Sequence, residues 1–360
     1  MAAQTPPPLD FYRTLPKAEL HSHLNGSIRP STLLDLLRTH APAHLPTAPL
    51  SAASLSDCFT TFDLIHLAVC TPAAVERIAH EAVLDAAADG VQYLELRTTP
   101  RSLQGAPLDA YVSAVLAGLQ SASQCCPCAA RLLLSFDRAA PPSSWEATAS
   151  LCQAWAQRSF LGLQPFPTTP SPLLVGVDVS GHPGKGSLLS LLPHLDALRA
   201  AGLKCTLHLG ELPGAAAQAE VDALLLWRPD RLGHMCCLTP EQLQAVVSSS
   251  SGSSSAATPP IELCPTSNAI TLQLPSLQAH ATMGALLAAQ GLQLCICTDD
   301  SGVFATTLSA EYSRVAAAFG LSEGRMAALA GQSFAYGFAD AATLAAASLA
   351  GRQGSQPNRG

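Results

Sequence analysis

The chain has 360 residues, 48% hydrophobic and only 12% charged, a balance that excludes disorder over most of its length. The net charge is −7, from 19 basic and 26 acidic residues, and no basic block offers a footprint for nucleic acid. No apolar run is long enough for a membrane-spanning helix. The proline-rich start, Met1 to Asp10, lacks the charged-then-apolar pattern of a secretory signal. The 12 cysteines are therefore expected to be reduced thiols of a cytoplasmic chain. Cys125 and Cys128 have C-x-x-C spacing, but no second pair follows at zinc-ribbon distance, so they read as ordinary thiols.

In chain order, short apolar runs predict eight strands: Ala18–Leu24, Val91–Arg97, Arg131–Phe136, Leu173–Val179, Leu203–Leu209, Arg231–Gly233, Ile261–Leu263 and Leu292–Cys297. Most are almost continuously apolar, as strands covered on both faces must be. Helical stretches separate them. Thr71–Asp89 is the clearest, with Thr-Pro at its start and Gly90 at its stop. Others are expected over Asp109–Ala122, Ser144–Arg158, Leu188–Ala200, Ala216–Leu226, Pro240–Val247 and Leu277–Ala289, with the last between Thr307 and Leu349. Eight alternating βα units predict a TIM-type (β/α)8 barrel over residues 1–350. An open doubly wound sheet fits less well, because no glycine-rich phosphate fingerprint follows the first strand. Gly181–Ser187 contains a lysine but fails Walker spacing and reads as a loop. The Ser-rich stretch 248–257 reads as a surface insertion, and 351–360 as a disordered polar tail.

Position is the informative feature of the polar residues. Most runs end in them: His21-Ser22-His23-Leu24-Asn25-Gly26, Arg97-Thr98-Thr99-Pro100-Arg101, Asp137-Arg138, Asp178 to Gly181, His208-Leu209-Gly210-Glu211, His234, and Thr298-Asp299-Asp300-Ser301-Gly302. In a βα barrel these ends share one mouth. His21 and His23, two apart on a strand, share a face. With His208 and Asp299 they make a set of three imidazoles and one carboxylate, which suits one zinc ion per chain. Glu211 is placed to donate a proton beside the metal. His234 and Asp300 are candidates for orienting the attacking water. His40, His44, His80, His182, His194 and His280 read as structural.

These segments, together with Leu15-Pro16-Lys17-Ala18-Glu19-Leu20 ahead of His21 and Arg231-Leu232-Gly233 ahead of His234, closely resemble the adenosine/AMP deaminase family of metal-dependent hydrolases. Asn25, Leu96-Arg97-Thr98-Thr99-Pro100-Arg101 and Phe62-Asp63-Leu64-Ile65-His66 are most similar to its adenosine deaminase-like branch, whose enzymes act on N6-methyl-AMP. The resemblance spans roughly residues 10 to 345 and implies a zinc-dependent barrel that hydrolyses the 6-amino group of purines. Carried over by position, His21, His23, His208 and Asp299 would hold zinc, and Glu211, His234 and Asp300 would be catalytic. His23, Asn25, His66, Thr98, Thr99, Pro100, Arg101, Asp137, Gly181 and Asp300 would contact substrate. The implied reaction converts N6-methyl-AMP to IMP and methylamine. The expected partner is a small purine nucleotide, with neither nucleic acid nor membrane, and the expected form is a monomer.

Adenosine deaminases proper carry Asp where this chain has Asn25. An amide removes the repulsion an acid would exert on a phosphate, and Arg101 offers a charge-assisted contact. Deamination of free adenosine with the same residues is the alternative. Met235-Cys236-Cys237, after His234, departs from the small residues frequent in the family and bears on the shape of the mouth.

Overall fold

The computed structural model describes residues 7–48, 50, 52–163, 168–249 and 257–354. Eight parallel strands follow one another in chain order around one sheet: β1 (Lys17–His23), β2 (Val91–Thr98), β3 (Ala129–Asp137), β4 (Leu174–Ser180), β5 (Lys204–Leu209), β6 (Arg231–His234), β7 (Ile261–Leu263) and β8 (Leu294–Ile296). All eight expected strands are present, and the TIM-type barrel is the observed architecture. The seam closes just past β8. His23 N–H donates to the Asp299 carbonyl at 2.8 Å, and Asp299 N–H donates to the His21 carbonyl at 2.9 Å. Three metal-ligand candidates, His21, His23 and Asp299, are thus joined by the hydrogen bonds that shut the barrel.

The helices pack their apolar faces on the outer wall of the sheet. Pro72–Ala88 begins where Thr71 accepts a hydrogen bond from Ala74 N–H at 3.2 Å and ends at Gly90, whose φ is +82°. It packs on Leu108–Ser123, with Gly118 lying so close to the Glu76 carbonyl that no side chain fits. Two helices ahead of it, Pro30–His40 and Leu55–Ala68, were not legible in sequence. Leu55–Ala68 buries only Cys58, Thr61, Ile65 and Ala68. Its other side faces the barrel mouth, so apolar residues lie all round it and no clean stripe emerges. Pro265–Thr271, after β7, was also not legible, being only about two turns of mixed polarity. The expected helix over Leu277–Ala289 is broken: a 3₁₀ turn at Leu277–Ala279 precedes Met283–Ala288, and His280 Nδ1 between them accepts from Met283 N–H at 3.1 Å.

The final helix, Ala341–Gly354, runs through buried Gly351, so the expected tail begins at least four residues too early. Most of the expected Ser-rich insertion, residues 250–256, lies outside the described residues. All 12 cysteines are free thiols. Among the described residues, no helix is long and apolar enough to cross a membrane.

The inside of the barrel departs from a purely apolar filling. Arg97, Arg231, Glu95, Asp178 and Glu262 are all fully buried there. Each charge is paired: Arg231 with Glu95 and Glu262, both at 2.6 Å, and Arg97 with Glu262 at 3.0 Å and Asp178 at 3.2 Å. Buried ions persist only when matched in this way. At the seam, Gly302 and Val303 N–H donate to the Gly26 carbonyl at 2.9 and 3.0 Å. A Cβ on Gly26 would overlap the Asp300 carboxyl, and one on Gly302 would overlap the Ile28 carbonyl.

Candidate active site

Four ligand atoms converge at the C-terminal mouth. His21 and His23 project from β1, His208 from β5, and Asp299 from the turn after β8. His23 Nε2 lies 3.0 Å from His208 Nε2, and Asp299 Oδ1 lies 3.2 Å from His21 Nε2 and 3.3 Å from His23 Nε2. Such separations approximate the edges of a tetrahedron with bonds of about 2.1 Å, the length of a zinc–imidazole bond. His21 Nε2 is buried without a hydrogen-bond partner, as a nitrogen reserved for a cation would be. The donor set and its spacing fit zinc.

The far side of each ligand is fixed. His21 Nδ1 meets Glu262 Oε2 at 2.6 Å, and His208 Nδ1 meets Asp178 Oδ1 at 3.0 Å. Ser267 donates to Asp299 Oδ2 at 2.7 Å. These contacts set both imidazole tautomers so that Nε2 faces the centre. Arg97 links the two orienting carboxylates, Asp178 and Glu262. Sequence reasoning missed Glu262, Ser267 and the orienting role of Asp178. The available signal was a charge inside an otherwise apolar strand, Ile261-Glu262-Leu263.

Three further groups surround this centre. Glu211 is raised to about 8 by burial and then by the charge of Asp299, so its carboxyl holds a proton at neutral pH. His234 Nε2 stands 3.8 Å from Glu211 Oε2, while its Nδ1 meets the Asn268 side-chain amide at 3.0 Å. Burial, only partly offset by Asp299, holds His234 well below its ordinary value and therefore neutral. Burial and the adjacent Asp299 push Asp300 well above the usual carboxylate range, and its Oδ1 is buried without a partner. His234 and Asp299 both adopt left-handed backbone, with φ of +66° and +65°. Such conformations cost about 1–3 kcal/mol each and gather where function requires them.

A cavity of about 390 Å³ opens over the centre. His23, Asn25, His66, Thr98, Thr99, Asp137, Gly181, Glu211, His234 and Asp300 line it. Gly181, with φ +104°, leaves no room for a Cβ beside Asp137. Asn25 Nδ2 donates to Tyr111 Oη at 3.3 Å and to Thr98 Oγ1 at 3.5 Å, and its Oδ1 is buried and unpartnered.

Pro100 and Arg101 do not line this cavity, contrary to expectation. The Arg101 guanidinium donates to the carbonyls of Val69 and His66, at the C-terminal end of Leu55–Ala68. Carbonyls exposed at a helix end attract a cation, and here they take the one assigned to phosphate. Met235, Cys236 and Cys237 also stay out of the cavity lining: Met235 and Cys236 are buried, and both their carbonyls accept from Thr282. Conversely, Phe59, His182 and Lys185 line the rim and were missed. His182, expected to be structural, stacks on Phe59 with ring centroids 5.2 Å apart and planes 15° from parallel.

Residues 16–347 match the family model described as adenosine deaminase. The N6-methyl-AMP deaminase of Bos taurus is 34% identical over 358 residues, covering 96% of this chain and 95% of its own. The crystal structure of an Arabidopsis N6-mAMP deaminase superposes with a TM-score of 0.82 at 33% identity, covering 96% of this chain and 99% of its own. Another Arabidopsis structure, complexed with IMP, gives 0.81 at 33% identity, with coverage of 96% and 98%. With its barrel, its ligand cluster and these likenesses, this chain belongs to the adenosine deaminase family and is a hydrolytic deaminase.

Proposed function

We propose that the chain is a zinc-dependent deaminase of N6-substituted purine nucleoside monophosphates. Water and N6-methyl-AMP would give IMP and methylamine. The observation that carries this reading is the half-buried carboxyl of Glu211, raised to about 8, standing beside the four-ligand cluster and 3.8 Å from His234. Attack at C6 of a purine needs a proton delivered to N1, and a carboxylic acid that keeps its proton at pH 7 can deliver it. His21, His23, His208 and Asp299 would hold one zinc ion, whose Lewis acidity makes water a nucleophile at neutral pH.

The chain's own groups supply the rest. Neutral His234, its Nδ1 engaged by the Asn268 amide, turns Nε2 toward the attacking water and orients it. Asp300, kept protonated, donates to an imidazole-ring nitrogen of the purine and fixes the base in plane. Asp137 and Gly181 meet the purine–ribose side, and Asn25, His66, Thr98 and Thr99 meet the 5′ side. Support for a nucleotide comes from the relatives: the bovine protein is an N6-methyl-AMP deaminase, and an Arabidopsis structure binds IMP. Asn25 supports it too, because it brings no negative charge toward a phosphate.

One observation favours a free nucleoside instead: the guanidinium of Arg101 is committed to helix carbonyls. Separate incubation of zinc-loaded protein with N6-methyl-AMP, AMP, N6-methyladenosine and adenosine decides between them by the ultraviolet change at deamination. Highest kcat/KM on N6-methyl-AMP is expected, with Glu211→Gln as the inactive control. Highest kcat/KM on adenosine would replace the nucleotide reading with the nucleoside one.

A further inference from the structure

We propose that Lys185 binds the 5′-phosphate and sets the preference for nucleotide over nucleoside. This inference rests on the nucleotide reading above. A phosphomonoester carries a charge of about −1.5 to −2 at pH 7. Besides the metal-ligand candidate Asp299 and the protonated Glu211 and Asp300, the cavity that would receive it is lined by the carboxyls of Asp63 and Asp137. Without a cation, phosphate would enter a site whose ionised groups repel it.

The nearby cations are accounted for one by one. Arg97 lies fully buried, with its guanidinium given to Asp178, Glu262 and the Leu20 carbonyl. Arg101 is held by Val69 and His66 carbonyls. Arg138 forms an ion pair with Glu220 at 2.8 Å. His66 is held below its ordinary value by burial and by Arg101, so it offers a hydrogen bond rather than a charge. Lys185 remains. It borders the cavity, it is exposed, and its ammonium makes no ion pair among the described residues.

The loop that carries Lys185 is built to hold it in place. Arg138 Nε donates to the Lys185 carbonyl at 2.8 Å, and Lys185 N–H donates to the His182 carbonyl at 3.0 Å. Gly186, with φ +64°, passes too close to the Arg138 carbonyl for any side chain. His182 in turn stacks on Phe59 of Leu55–Ala68. The backbone is therefore anchored on both sides of Lys185 while its side chain stays free to follow a phosphate. A lysine suits this task as a mobile point charge.

The test is calorimetric binding of IMP and of inosine to the zinc-loaded protein and to its Lys185→Met and Lys185→Arg variants. Lys185→Met should weaken IMP by about 10- to 100-fold, the value of one charge-assisted contact, and leave inosine within about 2-fold. Lys185→Arg should keep IMP within about 5-fold of the parent. Unchanged IMP affinity in Lys185→Met, or an equal loss for IMP and inosine, would overturn the assignment of Lys185. A parent protein that binds inosine as tightly as IMP would instead overturn the nucleotide reading on which it depends.

Discussion

The floor of the cavity and its rim are built on opposite principles. On the floor, the far sides of His21, His208 and Asp299 are each held by a buried charge or hydrogen bond. His21 leans on Glu262, His208 on Asp178, and Arg97 ties those two carboxylates together. At the rim, Phe59 and His182 meet only by stacking, and the Lys185 ammonium has no ionic partner among the described residues. Bond-making chemistry needs donors fixed to within a fraction of an ångström, and paired buried charges provide that rigidity. Admission and choice of substrate need groups that can adjust, and side chains on an anchored loop facing one helix provide those.

Perturbing the floor should therefore abolish or cripple turnover, whereas perturbing the rim should redistribute it among substrates. Chelation should remove all activity, and stoichiometric zinc should restore it, as read by metal analysis alongside the ultraviolet assay. Restoration by half a zinc per chain would contradict the single four-ligand site. Glu211→Gln should lower kcat by about 10²- to 10⁴-fold, the span of general acid catalysis, with little change in substrate affinity. A loss confined to KM would assign Glu211 to binding instead.

Glu262→Gln acts one layer deeper. It leaves Arg97 and Arg231 short of a partner and should destabilise the barrel by about 3–5 kcal/mol. Zinc affinity should fall by about 10- to 100-fold, measured by competition with a chelator. An unchanged zinc affinity would show that His21 is oriented by strand geometry alone. At the rim side, Asn25→Asp should depress kcat/KM for N6-methyl-AMP by about 10-fold more than for N6-methyladenosine, from one added like charge. Equal effects on both would remove Asn25 from phosphate recognition. Phe59→Ala should be mildest, raising KM by about 3-fold at unchanged kcat through loss of one aromatic contact. A collapse of kcat would move the boundary between floor and rim outward.

The sequence made the floor far more legible than the rim. Strands covered on both faces leave continuous apolar runs, and reactive residues follow at the ends of those runs, so His21, His23, His208, Glu211, His234, Asp299 and Asp300 could be named by position alone. Leu55–Ala68 escaped because one side packs inward and another lines the cavity, which erases the amphipathic signal. Arg101 was placed on phosphate from residue type and proximity. Which way its side chain turns depends on a helix end more than thirty residues earlier in the chain. His182 and Lys185 sit in a loop whose composition carries no periodicity, and only its packing on Arg138 and Phe59 reveals a use for it.

The crossing of Gly26 and Gly302 at the seam also bears on how this chain can vary through descent. Alanine at either position would collide with a group in the other strand-end turn: the Asp300 carboxyl in one case, the Ile28 carbonyl in the other. A single replacement cannot be absorbed locally, because the same turns are bonded through the Gly26 carbonyl. Variation has room at positions of 182–187 other than Gly186 and along the exposed side of Leu55–Ala68, whereas a lineage that loses Gly26 displaces Asp300 and one that loses Gly302 displaces the Ile28 carbonyl of the facing turn.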